Sequence, residues 1–302
     1  MRTVAAGLPG YPSTYQPVQG GDGVAQRAAF DPALRQFPKA YRHGEPTFAD
    51  AATGARWRAA RRDAMHHLVR VVADSPWADS LVLRGSITMR AWVGDAAREP
   101  GDIDFVVLPA SRSIKDAAML DGIVAAVRST PGAGLRADEV TAEDIWTYER
   151  ADGRRLVFPF AVDGLPRGAV QLDFVFGEQL PVPPVPLVIP GVDRTLLAAT
   201  PELSLAWKLL WLATDIYPQG KDLYDAVLLA EQTAVPDRDL VVDLLRPELQ
   251  READGFVAES VLSWDVDWVN FQDEYPDIDG DPKQWAWRLG VALSAAWDAE
   301  RA

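Results

Sequence analysis

The stretch that most restricts the fold is residues 81–107, LVLRGSITMRAWVGDAAREPGDIDFVV. A short apolar run ends at Gly85-Ser86, and the next one opens with two aspartates, Asp102 and Asp104, flanking Ile103. Aspartate is a poor strand former and carboxylates are rarely buried alone, so acids placed here call for a positive partner. Residues two apart on a strand share a face, which sends the carboxylates of Asp102 and Asp104 to one side and Ile103 and Phe105 to the other. Asp173 sits between apolar residues in QLDFVF, so three strand-borne acids can converge. Like charges a few ångströms apart repel, and one of them takes up a proton unless a cation intervenes; one or two Mg²⁺ ions would remove the conflict.

The Gly-Ser pair then has a purpose. A glycine at a strand-to-helix turn lets the backbone approach a ligand, and a helix N-terminus carrying a serine hydroxyl can receive phosphate oxygens. Sixteen residues separate Ser86 from Asp102, room for one short helix and a return to the sheet. Acids, metal and a phosphate-gripping turn together suit phosphoryl transfer. Downstream, Lys208 lies among Leu205, Leu209, Leu210, Trp211 and Leu212. A half-buried lysine needs an anion or loses its charge, and phosphate would serve. Asp222 and Asp225 are three apart on the next helix, with Lys221 spaced to pair with Asp225. That leaves Asp222 to hold Lys208 or contact a sugar.

Composition limits the chemistry further. There is no cysteine and there are only three histidines, so any metal should be bound by oxygen. The net charge of −14 argues against a broad nucleic-acid surface. The charge is uneven: Arg56, Arg58, Arg61, Arg62 and Arg70 crowd one predicted helix, Arg84, Arg90 and Arg98 surround the opening motif, and acids gather in residues 265–281. The first residues lack a basic patch followed by an apolar core, and no run reaches the roughly 18 apolar residues of a membrane span, so a cytoplasmic protein is expected. His66 and His67 point to different sides of a helix and read as structural. WDVDW at 264–268 reads as packing and solvation, and DIDGD at 277–281 lacks the glutamate that a calcium loop requires, since Arg288 stands there. There are eleven tryptophans, and those of the tail read as core, with an interface or base-stacking platforms as the alternatives.

Residues 1–47 are rich in Gly and Pro and read as an irregular arm. Helical periodicity starts near Thr47 or Asp50, with Trp57, Met65, Leu68 and Val72 on one face. A strand over 81–84, a short helix through about Trp92, a strand at DIDFVVLP, a helix over 115–128, and strands over 156–162 and 169–176 follow. The Pro-rich PVPPVPLVIPG reads as a connector to helices over 201–214, 219–232, 239–249 and 281–297. The expected organisation is an α/β (α+β) catalytic domain over 48–190, a mixed sheet with flanking helices, and a C-terminal helical domain over 191–302.

The GS turn, DID, LDF, WK in LSLAWKLLWLATD and KDLYD, in this order, resemble the AbiEii/AbiGii toxin family within the DNA polymerase β-like nucleotidyltransferase superfamily. The resemblance covers roughly residues 57–230 and leaves the first 47 residues and the Trp-rich end outside. It implies transfer of a nucleoside monophosphate from an NTP to an acceptor, commonly tRNA, by the toxin of a toxin–antitoxin or phage-defence pair with a cognate antitoxin. By the same resemblance Asp102 and Asp104 are Mg²⁺ ligands and Asp173 is a third ligand or the base. Gly85 and Ser86 would bind nucleotide, Lys208 would neutralise the triphosphate, and Asp222 is the helical acid; Arg90, a positive charge beside the motif, is a further nucleotide-binding candidate that the resemblance does not supply. The acidity of the chain favours one alternative, a cationic small molecule or protein side chain as acceptor; the other alternative is a catalytically silent nucleotide-binding relative, against which the intact acid set argues.

Overall fold

The computed structural model describes residues 18, 23–31, 41–145 and 151–299. The chain forms two compact units, each discontinuous in sequence. The first takes residues 1–87, 100–179 and 186–198, the second residues 88–99, 180–185 and 199–302.

The first unit is built on a seven-stranded mixed sheet. Its strands are β3 (Leu81–Arg84), β4 (Ile103–Val107), β5 (Thr141–Asp144), β6 (Gly153–Phe160), β7 (Gly168–Val175), β8 (Val185–Val188) and β9 (Thr195–Ala198), in the order β5-β6-β7-β4-β3-β9-β8. The centre is mixed: β4 runs parallel to β7 and antiparallel to β3, while β3 is parallel to β9. Alternation along β4 buries Ile103, Phe105 and Val107 in the core and leaves Asp102 and Asp104 for the opposite face. Phe105 and Phe174, directly opposed on β4 and β7, stack at 5.5 Å between ring centroids and lock that register from the apolar side.

Helix α1 (Ala51–Ala73) covers this apolar face with Trp57, Met65, Leu68 and Val72, as its periodicity predicts. Asp50 caps it, accepting from the Thr53 amide at 2.9 Å. Helix α3 (Ala117–Ser129) adds Met119, Ile123 and Val127. Helix α2 (Ser86–Val93) leaves the sheet at the end of β3.

The second unit is helical: α4 (Pro201–Thr214), α5 (Gly220–Gln232), α6 (Arg238–Leu249), α7 (Trp268–Glu274) and α8 (Pro282–Ala299). Thr200 caps α4 and Pro201 occupies its first turn, where a missing N–H costs nothing. The Trp-rich end is largely core. Trp268 and Trp285 lie 5.7 Å apart, and Tyr224 packs on Trp285 at 5.0 Å. Trp287 is the exception, exposed on α8. One acid of each of the motifs WDVDW and DIDGD serves a helix end: Asp267 accepts from the Asn270 amide, and Asp281 from those of Lys283 and Gln284.

Three expectations change. Within the arm read as irregular, β1 (Val24–Phe30) and β2 (Tyr41–Phe48) form an antiparallel pair; the rest of the arm, apart from residues 18, 23 and 31, lies outside the described residues. Ala, Gln, Arg and Gly in these strands have weak strand preference and hide them from propensity. Strand β6 starts at Gly153, three residues earlier than read, and so takes in Arg154 and Arg155. The Pro-rich connector contains the edge strand β8, a position where proline is tolerated.

Candidate functional site

Register assembles the charged face of the sheet. Arg155 on β6 opposes Asp173 on β7, Asp173 opposes Asp104 on β4, and Asp104 opposes Arg84 on β3. Directly opposed residues share a face, so one row across four strands reads Arg, Asp, Asp, Arg. Asp102 stands two residues before Asp104 and accepts from Gln171 Nε2 at 3.2 Å. The three aspartates each offer one carboxylate oxygen, all within 4.8 Å of one another.

The row is tied at both ends. Arg155 donates from Nε to Asp173 Oδ1 at 2.7 Å and from Nη2 to Oδ2 at 2.6 Å, a bidentate pair. Arg84 donates from Nη1 to Glu178 Oε2 at 2.7 Å. Burial pushes the Asp173 carboxyl above its ordinary range; the Arg155 guanidinium pulls against this, Asp102 adds to it, and the net direction is up.

Gly85 is required at the turn for two reasons. Its φ of +76° is costly for any residue with a Cβ, and a Cβ there would lie 2.6 Å from Asp104 Oδ2. The next residue, Ser86, is buried at the first position of α2. Arg90, about one turn on, is half exposed and donates from Nη2 to Asp95 Oδ1 at 2.8 Å.

Lys208 and Asp222 belong to a separate buried cluster in the helical unit. Lys208 Nζ donates to Asp222 Oδ1 at 2.6 Å and lies 3.2 Å from Asp225 Oδ2. Asp225 does not await Lys221. It receives Arg98 Nε at 3.0 Å and Nη2 at 2.8 Å, and Arg98 Nη1 reaches the Tyr275 hydroxyl at 3.3 Å. Burial alone would lower the Lys208 pKa, but Asp222 and Asp225 outweigh it and hold the ammonium above its ordinary range. Burial would likewise raise the Asp225 carboxyl; Arg98 and Lys208 bring it below the usual carboxylate range.

The sheet thus brings together Asp102, Asp104, Asp173 and Gly85, and the helices bring together Lys208 and Asp222. Sequence reading missed Arg155, Glu178 and the Arg98–Asp225 pair. An earlier start for β6 would have put Arg155 on the acid face; the long-range pairs carry no local signal.

The acid set suits a hard divalent cation. Its donors are all carboxylate oxygens, the kind that magnesium and calcium take. Among Asp102, Asp104, Asp173 and Glu178 on one side and Arg84 and Arg155 on the other, four negative groups meet two positive ones. The excess of two equals the charge of one divalent ion.

The family model described as nucleotidyl transferase AbiEii toxin, type IV toxin–antitoxin system, matches residues 66–294. The chain belongs to this family. The match runs through the Trp-rich end, which the motif resemblance had left outside. An AbiEii protein is a nucleotidyl transfer enzyme and the toxin of a type IV pair, so membership implies an NTP substrate and an antitoxin partner. Among solved structures the chain is similar to MenT4, a nucleotidyltransferase toxin from Mycobacterium tuberculosis. That likeness has 18% identity, covers 82% of this chain and 95% of that one, and has a TM-score of 0.46. It is also similar to an antigenic nucleotidyltransferase-like protein from Paracoccidioides brasiliensis, with 16% identity, coverage of 78% and 95%, and a TM-score of 0.41. No curated protein matches the chain. Among the described residues, no helix is long and apolar enough to cross a membrane.

Proposed function

We propose that this AbiEii protein is a Mg²⁺-dependent enzyme of the cytoplasm that moves a nucleoside monophosphate from an NTP to an RNA acceptor, with tRNA as the leading candidate. One observation carries the reading. Three carboxylates, one just before β4 and one each on β4 and β7, gather within 4.8 Å, and that of Asp104 leaves no room for a Cβ on the glycine of the turn that starts α2.

Asp102 and Asp104 are assigned to hold the cation, which when bound supplies charge neutralisation for the triphosphate and activation of the attacking oxygen. Asp173 either completes the ligand set or accepts the proton of the acceptor hydroxyl; burial raises its pKa, the direction that favours proton uptake. Gly85 leaves room for a phosphate at the turn, Ser86 offers its hydroxyl and the α2 amides to the outer phosphates, and Arg90 adds a positive charge about one turn later. Lys208 is assigned to balance the triphosphate and Asp222 to keep the ammonium charged and aimed. The nucleobase contributes no assigned contact.

A second reading keeps this chemistry and changes the acceptor to a cationic small molecule or protein side chain. The net charge of −14 favours it, because an acidic surface attracts cations and repels RNA.

The deciding experiment incubates the protein with each α-³²P-labelled NTP, Mg²⁺, and either total RNA or a metabolite extract. Label in a tRNA band supports the first reading, and label in a small cationic product supports the second. Intact NTP with no label transferred to anything means a silent nucleotide binder. Omission of Mg²⁺ abolishes transfer on either catalytic reading.

A further inference from the structure

We propose that Arg155 selects how the divalent cation enters: its guanidinium covers both oxygens of Asp173 and disfavours a bare cation, while favouring one that arrives with a triphosphate. The inference rests on the assignment of the acid trio as the cation site.

Three observations support it. The tandem Arg154-Arg155 splits by strand alternation: Arg154 pairs with the exposed Asp144 of β5, and Arg155 alone turns to the acids. The Arg155 side chain is 12% exposed and that of Asp173 1%, so the pair is not a solvent-screened surface bridge. Its two bonds take one lone pair on each Asp173 oxygen, the atoms a cation would share. At the other end of the row Arg84 donates to Glu178.

Charge then decides between two visitors. A bare cation of charge +2 meets a fixed guanidinium at the trio and is repelled by it. A cation already joined to a fully ionised triphosphate is a complex of net charge −2, which the same guanidinium attracts. Arg155 therefore opposes the first and supports the second. Its planar fork holds Asp173 in one orientation meanwhile, which a lysine would do with a single contact.

Mn²⁺ titrations of the full chain, read by the electron paramagnetic resonance signal of free Mn²⁺, test this with and without a non-hydrolysable NTP analogue. The native chain is expected to bind Mn²⁺ weakly alone and more tightly with the analogue. Arg155→Gln should bind Mn²⁺ about tenfold more tightly alone, with little gain once the analogue is present, so that the coupling between the two shrinks. Arg155→Lys should fall between, about threefold, and carries the test if Arg155→Gln does not fold. Unchanged or weaker Mn²⁺ binding by these variants alone would overturn the inference and make Arg155 a support for the acids. Asp104→Asn is the control: if it keeps native Mn²⁺ affinity, the cation-site assignment itself fails. If it loses affinity while Arg155→Gln is unchanged, only the role of Arg155 falls.

Discussion

The two charged clusters of this protein are made of the same groups in different proportions. On the sheet, Asp102, Asp104, Asp173 and Glu178 face Arg84 and Arg155, and negative charge is in excess. Among the helices, Asp222 and Asp225 face Lys208 and Arg98, and the set is balanced. A buried set that balances itself needs nothing from outside, whereas one with surplus acid stores repulsion that a cation relieves. The difference revises one step of the sequence argument: burial of Lys208 does not by itself demand a phosphate, because two carboxylates already serve. Asp222 and Asp225 make Lys208 a fixed, charged group, and any phosphate contact it makes must compete with them.

Substitutions should separate the clusters most sharply. Asp104→Ala removes a proposed cation ligand, and loss of several kcal/mol of transition-state stabilisation lowers transfer at least about a thousandfold. It also relieves like-charge repulsion, so its urea midpoint should match or exceed that of the native chain. A midpoint well below native would mean that the acid trio is structural. Asp225→Ala does the reverse. It leaves Arg98, 5% exposed at its side chain, without its carboxylate, and should cost about 3–5 kcal/mol in denaturant unfolding. A cost under about 1 kcal/mol would show that water reaches Arg98 and that the quartet is not closed.

Gly85→Ala tests the contact between turn and acid, with Gly94→Ala as its internal standard. Both glycines have positive φ, +76° and +59°, so both substitutions carry a conformational cost of about 1–2 kcal/mol. Only at Gly85 does a Cβ meet a carboxylate oxygen, at 2.6 Å, while at Gly94 nothing lies within 4 Å. Gly85→Ala should therefore lose more stability than Gly94→Ala and displace Asp104, lowering transfer about tenfold or more. Equal effects on both measurements would mean that Asp104 moves aside without consequence.

The clusters also predict opposite responses to pH. Asp225 has a depressed pKa in the folded chain, so its contribution is present above the unfolded carboxylate value and is lost only as pH falls through the lower, folded one. Lys208 has a raised pKa, so its contribution is complete below the unfolded lysine value and is lost as pH rises through the folded one. The destabilisation caused by Asp225→Ala should then be flat between about pH 5 and 9. Asp173, with its pKa raised by burial, binds a proton more tightly in the folded chain. In metal-free protein its contribution declines as pH rises from the unfolded carboxylate value through the folded one. Chelated protein followed by thermal melting across that window should lose stability as pH increases, and adding Mg²⁺ should flatten the slope; a slope unaffected by the ion would detach Asp173 from the cation site.

The parts of the site legible in the sequence are those that obey short periods. Strand alternation put Asp102 and Asp104 on one face, the Gly-Ser break marked the turn, and QLDFVF supplied the partner strand. Charges paired across long separations were not legible. Arg98 and Asp225 are 127 residues apart, and the i,i+4 rule offered the nearer Lys221 instead. Arg155 is hidden for a different reason: the apolar strand signal begins at Leu156, which leaves the residue facing Asp173 outside the expected strand. Strands β1 and β2 escaped because their residues satisfy pairing without an apolar stripe.

The smallest expected effect concerns Arg90, whose place among the nucleotide-binding candidates the two-cluster comparison sharpens. Its side chain is 52% exposed and its partner Asp95 is 96% exposed, so Arg90→Ala should change stability by no more than about 0.5 kcal/mol. Stability is therefore silent on its role, and kinetics must decide. A residue that only gathers phosphate binds ground state and transition state alike, so its loss raises KM for the NTP and leaves kcat unchanged. If Arg90→Ala leaves both constants at native values, the guanidinium does no more than pair with Asp95, and the positive charge near the turn must come from elsewhere in the chain. If kcat falls together with kcat/KM, Arg90 acts on the transition state and belongs with the acids rather than at the edge of the nucleotide site.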